Sequence, residues 1–181
     1  MNTATKNLED DHVHILRLID VMEYIVAHEA SDIAHIESIV EIIRNYADGL
    51  HHAKEEYHFF PFLATKGFSA QHGPVAVMLH EHVLGRDFVK GIAAGIELFR
   101  KGNLTALVDI HKNMKGYSDL LRSHIGKENN ILFRMADNAL TEADHHQLLS
   151  RFEEAEKEHA SSAGSKEYIL KINELTSYYE I

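Results

Sequence analysis

The sequence predicts an all-α protein: an up-down-up-down antiparallel four-helix bundle at about residues 8–136, followed by two additional C-terminal helices at about 139–181. Apolar residues recur every three or four positions over long stretches, which is the spacing of one helix face. Strand-like alternation is scarce, and the 181 residues include only two prolines, Pro61 and Pro74. Because 45% of the residues are apolar, we expect residues 1–181 to form a single domain.

The first two helices each carry polar residues within an apolar stripe. The first stripe ends before Ser31 and comprises Leu8, His12, Ile15, Ile19, Met22 and Val26. The second helix begins after Ser31-Asp32 and ends near Lys66-Gly67, and its stripe comprises Ile36, Val40, Ile43, Ala47, His51, Glu55 and Phe62. The polar members of both stripes occupy positions that are otherwise apolar core.

The third and fourth helices repeat this pattern. The third is predicted from Gly73-Pro74 to about Lys101-Gly102, with an inner face of Val75, Leu79 or Met78, His82, Val89 and Ile96. The fourth is predicted from about Leu104 to Ala136, with an inner face of Ile110, Met114, Tyr117, Leu121, His124, Glu128, Ile131 and Met135. Histidine again interrupts each apolar face.

Two further helices are predicted after the bundle. Thr141-x-x-Asp144 resembles a capping box and opens a fifth helix that reaches about His159. Ser161–Ser165 breaks it, and a sixth helix covers about residues 166–178. We expect these two helices to pack on the bundle or to form the contact of a homodimer.

Composition excludes several classes of function. The formal charge of -10 argues against nucleic acid as a partner, since phosphate backbones bind clustered cations. The absence of cysteine excludes disulfides, thiolate-bound zinc and iron–sulfur clusters. No run of 18 apolar residues and no signal peptide is evident, so we expect a cytoplasmic protein without a membrane partner.

Six polar residues in the four stripes form a candidate site for two metal ions. They are His12, His51, Glu55, His82, His124 and Glu128. His51 and Glu55, like the pair on the fourth helix, are four residues apart and so share one helix face. In antiparallel helices, residues at one level lie equally far from the connecting turn. The midpoints between neighbouring candidates fall at or beside Ser31-Asp32, Gly67 and Gly102-Asn103, which are the three predicted breaks.

The chemistry of these side chains suits borderline metals such as iron or zinc. Imidazole and carboxylate groups are costly to bury, and metal coordination would satisfy them. We expect one ion to be bound by His12 and His51 and the other by His82 and His124. The two glutamates would bridge the ions. Coordination positions would remain open for a small molecule, whereas a structural site is closed.

Residues next to the candidates allow other interpretations. His52 and Glu56 form a second His-x-x-x-Glu pair, rotated by about 100° from the first. We expect this pair to support the site or face solvent, and the alternative is that it replaces His51 and Glu55 as the ligand pair. His80 lies off its stripe and is expected at the surface. Tyr117 shares a face with His124 and could reach over the site, although core tyrosine is the commoner case.

A ferritin-like di-metal pattern is a competing interpretation. Glu55-x-x-His58 and Glu142-x-x-His145 match its Glu-x-x-His motif. That interpretation leaves the histidines of the first, third and fourth helices unexplained, so the His-x-x-x-Glu interpretation is favoured.

At about residues 8–136, the chain resembles the hemerythrin-like, or HHE cation-binding, family. The segments that carry the resemblance are Asp11–Leu16, His51–Glu56 with Phe59-Phe60-Pro61, Leu79–His82 and His124–Phe133. The family implies a bundle with two non-haem iron ions, bridged by carboxylates and an oxo or hydroxo group. It implies the same six ligands. Oxygen carriers of the family have a His-x-x-x-His pair on the third helix, whereas Met78 and Arg86 flank His82 here at that spacing.

The resemblance therefore implies something other than simple oxygen carriage. We expect a di-iron protein that binds or reacts with O2, NO or peroxide, in oxidative or nitrosative stress response or sensing. The alternatives are a di-iron enzyme that turns over peroxide or NO, and a module that donates iron or repairs iron centres.

Overall fold

The computed structural model describes residues 3–159 and 164–181, and within these ranges it contains six helices and no strand. The helices are α1 (Ala4–Ala27), α2 (residues 33–64), α3 (Pro74–Arg100), α4 (residues 106–139), α5 (Glu142–His159) and α6 (Gly164–Tyr179). The predicted all-α class is confirmed. Residues 161–163 of the predicted Ser161–Ser165 break lie outside the described residues. None of the described helices is long and apolar enough to cross a membrane.

Helices α2 and α4 each contain π-helical turns. In α2, the order is α-helical Ile33–Ile42, π-helical Ile43–His52 and Glu55–Phe59, and α-helical Phe60–Ala64. In α4, π-helical Glu128–Leu132 separates α-helical Ala106–Lys127 from Phe133–Ala139. A π turn is closed by an i→i+5 hydrogen bond and so contains one residue more than an α turn. It therefore changes which residues face inward.

The π turn in α4 overturns part of the predicted inner face. Ile131 and Met135 were expected in the core, but they are 52% and 43% exposed. Leu132, Phe133 and Ala136 are buried instead. The prediction of Ile131 and Met135 was wrong because a three-and-four spacing assumes α turns throughout.

The three breaks predicted between the bundle helices are confirmed. Residues 28–32 connect α1 to α2, residues 65–73 connect α2 to α3, and residues 101–105 connect α3 to α4. Gly67 and Gly102 adopt φ values of 94° and 93°, a left-handed conformation that is available to glycine at little cost. The chain can thus reverse in few residues, and each helix lies against the next.

Two apolar clusters fill the bundle, and a layer of histidines lies between them. Helix α1 packs on α2 and α4, and α3 packs on the same two helices. On α1, His12 lies one turn from Leu8 in one cluster and one turn from Ile15 in the other. On α3, Met78 and Val89 belong to the two clusters and flank His82. The polar layer is therefore enclosed on both sides by apolar side chains.

The two C-terminal helices extend these same clusters. Ile172 and Leu175 of α6 join the cluster that contains Ile15, and Phe152 of α5 joins the one that contains Leu8. The predicted capping box of α5 is present: the Thr141 N–H donates to Asp144 Oδ2 at 2.8 Å, and the Asp144 N–H donates to Thr141 Oγ1 at 3.3 Å. Both helices pack on the bundle.

Lys54 links α5 to the bundle through a buried charge. Its side chain is fully buried, and Nζ lies 2.6 Å from Asp11 Oδ2 on α1. It also donates to Glu156 Oε1 on α5 at 3.0 Å and to Asn7 Oδ1 at 3.0 Å. Burial alone would lower the pKa of Lys54, but the charges of Asp11 and Glu156 outweigh it and raise that pKa. The ammonium group therefore stays charged inside the protein.

Glycine allows α3 and α4 to approach closely. A Cβ atom on Gly95 would lie 2.6 Å from Cγ1 of Ile110, a fully buried side chain of α4. By contrast, a Cβ atom on Gly126 would have nothing within 4 Å. The two positions are both helical, so they separate the effect of packing from that of helix propensity.

We expect Gly95→Ala to lower the free energy of unfolding by about 1–3 kcal/mol, because the added methyl group forces Ile110 or the helices to shift. Gly126→Ala is the matched control and should raise it by up to about 1 kcal/mol through helix propensity. Urea unfolding followed by circular dichroism measures both. Equal effects of the two variants would contradict the close approach of α3 and α4.

Candidate metal centre

All six candidate ligands lie together between α1, α2, α3 and α4. Each of their side chains is at most 1% exposed. His12 Nε2 lies 3.0 Å from His51 Nε2, and His82 Nε2 lies 3.2 Å from His124 Nε2. The imidazoles thus form two pairs, which are the pairs expected from the sequence.

The two glutamates each lie between the histidine pairs. Glu55 Oε1 is 3.6 Å from His51 Nε2, and its Oε2 is 3.4 Å from His82 Nε2. Glu128 Oε2 is 3.3 Å from Nε2 of His12 and 3.3 Å from Nε2 of His124. Each carboxylate therefore has an imidazole of either pair beside it. This is the placement that a bridging carboxylate needs.

The side chains fit a pair of cations. Both carboxylate oxygens of Glu55 and both of Glu128 are buried and have no hydrogen-bond partner among the described residues. A buried carboxylate without partners is costly, and a cation would remove that cost. Two groups of potential ligand atoms, each within 4.8 Å of one another, share Glu55. They are His12, His51, Glu55 and Glu128, and His52, Glu55, His82 and His124.

Each of the four paired imidazoles is oriented through its other ring nitrogen. His12 Nδ1 lies 2.7 Å from Asn129 Oδ1. The remaining three Nδ1 atoms lie against carboxylate oxygens of Asp11 at 3.2 Å, Glu56 at 2.7 Å and Glu81 at 3.0 Å, for His51, His82 and His124 respectively. An acceptor at Nδ1 fixes the proton there and leaves the Nε2 lone pair for a metal ion.

A cation lies beside each of these orienting carboxylates. Lys54 pairs with Asp11 at 2.6 Å, and Arg86 Nη2 pairs with Glu56 Oε1 at 2.7 Å. Lys127 pairs with Glu81. These lysine and arginine side chains therefore balance the charge of the carboxylates that orient the imidazoles. The charges of Glu55 and Glu128 remain to balance bound cations.

The same contacts shift the protonation of the centre. Burial alone would raise the pKa of Asp11, but the hydrogen bond from His51 and the charge of Lys54 lower it to about 2. Burial alone would lower the pKa of His82, but Glu55 and Glu56 raise it to about 9. Near neutral pH and without a bound cation, His82 is therefore protonated.

Glu56 lies where a supporting residue was expected, whereas His52 does not. Glu56 accepts a hydrogen bond from His82, as a supporting residue does. His52 is only 5% exposed, and it belongs to one of the two groups of potential ligand atoms. Its helix face alone did not reveal this, because it lies in the π-helical part of α2. The adjacent histidines His51 and His52 were the only signal in the sequence.

The other residues considered from the sequence lie outside the two groups. His58 is in neither group, and the Glu142 side chain is 62% exposed. His145 Nδ1 accepts a hydrogen bond from a backbone N–H of α1 at 3.3 Å. The ferritin-like interpretation is therefore not supported. His80 is exposed, as expected, and Tyr117 is buried in the core, where it lines a cavity.

The helical bundle and its two overlapping groups of ligand atoms define a protein with a candidate centre for two cations. A family model described as the hemerythrin HHE cation binding domain matches residues 3–136. The chain therefore belongs to the hemerythrin HHE cation-binding family, as the resemblance of its motifs predicted. No curated protein and no solved structure matches it. Helices α5 and α6 lie beyond the matched residues.

We expect the affinity of the centre for metal ions to rise with pH. A metal ion can bind His82 Nε2 only after that atom loses its proton, and the pKa of His82 is about 9. Raising the pH from 7 to 8 should thus tighten binding about tenfold through this group alone. Competition with a chromophoric chelator, corrected for the protonation of the chelator, measures the effect.

The stability of the metal-free protein should change in the opposite direction. The folded state raises the pKa of His82 above its ordinary value of 6.5, so its contribution is present below pH 6.5 and is lost as the pH rises through about 9. A metal affinity that is the same at pH 7 and pH 8 would contradict the protonation of His82.

Proposed function

We propose that the protein is a non-haem di-iron protein that binds or reacts with a small molecule, O2, NO or peroxide, in oxidative or nitrosative stress response or sensing. The observation that carries the proposal is the convergence of four imidazole Nε2 atoms on the carboxylates of Glu55 and Glu128, whose oxygens have no hydrogen-bond partner among the described residues. In this proposal the two glutamates bridge the ions. His12 and His51 hold one ion, and His82 and His124 hold the other.

The donor set supports iron with open coordination positions. Histidine and carboxylate ligands without thiolate are typical of non-haem iron, and few enough of them surround each ion to leave positions for a further ligand. Iron bound there would supply a redox-active Lewis acid to which a small molecule can bind. The protein contributes the fixed imidazole tautomers and an enclosed, largely apolar surrounding.

A cavity beside the centre gives a small molecule a route to it. Its volume is about 270 Å³, and its lining residues include Val89, Tyr117 and His52. Because a water molecule takes up about 30 Å³ of the liquid, this space is ample for a diatomic molecule. Most of the wall area is apolar, although the lining residues include charged side chains such as Arg86. An apolar route favours small neutral molecules.

Aromatic rings cover the opposite side of the centre. The Phe133 ring stacks on His12, with centroids 5.6 Å apart and planes 5° from parallel. The Phe60 ring stacks on His82 at 6.0 Å and 24°. Both rings are at most 4% exposed. They keep water from that side, so we place the approach of the small molecule at the cavity.

We expect the protein to bind two iron ions per chain and the carboxylates to be unequal in importance. Glu55→Ala and Glu128→Ala should each abolish the paired centre, because each removes a bridge. Glu56→Ala is the matched control: it removes an acceptor for His82 and a partner of Arg86 but no bridge, and loss of such an outer partner typically costs about 10–100-fold in metal affinity. Iron analysis and Mössbauer spectra after anaerobic loading measure these outcomes.

Less than about one iron per chain, or isolated mononuclear sites in the unaltered protein, would refute the di-iron proposal. Equal losses for Glu55→Ala and Glu56→Ala would contradict the bridging position of Glu55. Mixing the reduced protein with peroxide or NO distinguishes a reactive or binding centre from an enzyme: consumption of one equivalent indicates the former, and sustained consumption of substrate indicates turnover.

We expect Gly85→Leu to slow the reaction of the reduced iron protein with NO, because Gly85 lines the cavity and a leucine side chain would occupy it. The expected loss in rate is about tenfold or more, equivalent to about 1.4 kcal/mol in the barrier. In Gly85→Ala, the added Cβ would lie 3.6 Å from the Tyr117 ring, an ordinary contact, so this variant is the control. Stopped-flow absorbance measures the rates. Unchanged rates at full iron content would exclude this cavity as the route.

A further inference from the structure

We infer that His52 is a fifth histidine ligand and that it binds only the ion held by His82 and His124. The inference rests on the proposed function, because it concerns how one of the two proposed ions is bound. It makes the two ions chemically unequal: one would have two imidazole ligands and the other three. It also gives His52 a position between the ion and the cavity, whose wall it forms.

The position of His52 carries the first part of the argument. Its ring stacks on that of His82, with centroids 3.8 Å apart and planes 17° from parallel. The ring of His124 lies 5.9 Å away at 77°. One potential ligand atom of His52 lies within 4.8 Å of those of His82, His124 and Glu55. A single cation among these atoms would be in reach of all four side chains.

The surroundings of His52 are built like those of the four paired imidazoles. Its Nδ1 lies 3.3 Å from Asp48 Oδ1. Arg86 donates from Nε to the same Asp48 oxygen at 2.8 Å and from Nη2 to Glu56 Oε1 at 2.7 Å. One guanidinium group thus fixes the carboxylates that orient both His52 and His82. With Nδ1 held by Asp48, Nε2 is the nitrogen left for a metal ion.

The π-helical backbone explains how two neighbouring histidines can both point inward. On an α-helix, His51 and His52 would be rotated by about 100° from each other, so only one would face the centre. Here both lie at the end of the π-helical stretch Ile43–His52. Because a π turn contains one residue more than an α turn, the rotation between neighbouring residues is smaller. His51 then reaches one group of ligand atoms and His52 the other.

The number of coordinated imidazoles tests the inference directly. In protein loaded with two Co²⁺ ions, each imidazole bound through Nε2 gives one strongly shifted, solvent-exchangeable proton NMR signal from its Nδ1–H. We expect five such signals in the unaltered protein, from the histidines of the two groups. We expect four in His52→Ala. His80→Ala, which removes an exposed histidine of α3, is the matched control and should keep five.

Stepwise metal affinities provide the second measurement. His52→Ala and His52→Gln should weaken one of the two binding steps, by at least the roughly 10–100-fold that loss of an outer partner costs. The other step should remain, which shows that the centre is still folded. Glutamine fills more of the space left by the imidazole than alanine does. If both variants weaken the same step, the cause is therefore the loss of a ligand and not the loss of packing.

The outcomes distinguish the inference from the proposed function. Four signals in the unaltered protein, with two Co²⁺ ions bound, would overturn ligation by His52 and leave the two-metal centre intact. That count does not depend on any variant folding. Failure to bind two ions in adjacent sites would overturn the proposed function itself. Unchanged affinities in both His52 variants would also overturn the inference.

Discussion

The constraint on which the structure depends is the burial of two carboxylates, Glu55 and Glu128, that find no hydrogen-bond partner among the described residues. Leaving two such charges in an apolar core is unfavourable unless cations balance them. Two of the surrounding imidazoles, those of His12 and His82, respond to these carboxylates with a raised pKa and so hold protons when no metal ion is bound. His12 illustrates this: burial alone would lower its pKa, but Glu128 raises it. The layer is therefore built for positive charge, supplied by protons or by metal ions.

The charged side chains outside this layer do not supply the positive charge that Glu55 and Glu128 need. Each orienting carboxylate has its own cation, as Asp11 has Lys54. These outer cations cannot also neutralise Glu55 or Glu128. Two apolar clusters enclose the layer above and below, and two members of one cluster, Phe60 and Phe133, stack on imidazoles of the layer. Specific charge balance and exclusion of water thus come from the same packing of four helices.

Much of the fold and of the candidate centre follows from the sequence, because spacing along an α-helix translates directly into level and face. The turn positions placed His12, His51, His82 and His124 at one level, and the structure brings them together. The π turn in α4 was not predicted, because the face that contains Ile131 and the shifted face that contains Leu132 are both apolar in the sequence. For that reason Ile131 was expected in the core, and the inward position of His52 was missed. The partners of each Nδ1 also depend on tertiary contacts that no local pattern contains.

The buried Lys54 has a consequence for the helices beyond the family domain. It joins Glu156 of α5 to Asp11, and Asp11 orients His51, so an unbroken series of charged contacts connects the C-terminal region to the centre. Equilibrium coupling of this kind is reciprocal. If occupancy of the centre strengthens the docking of α5, then any partner or modification that loosens α5 must weaken occupancy by the same factor. The C-terminal helices would then act as a thermodynamic effector of the centre, at a surface that the small molecule never touches.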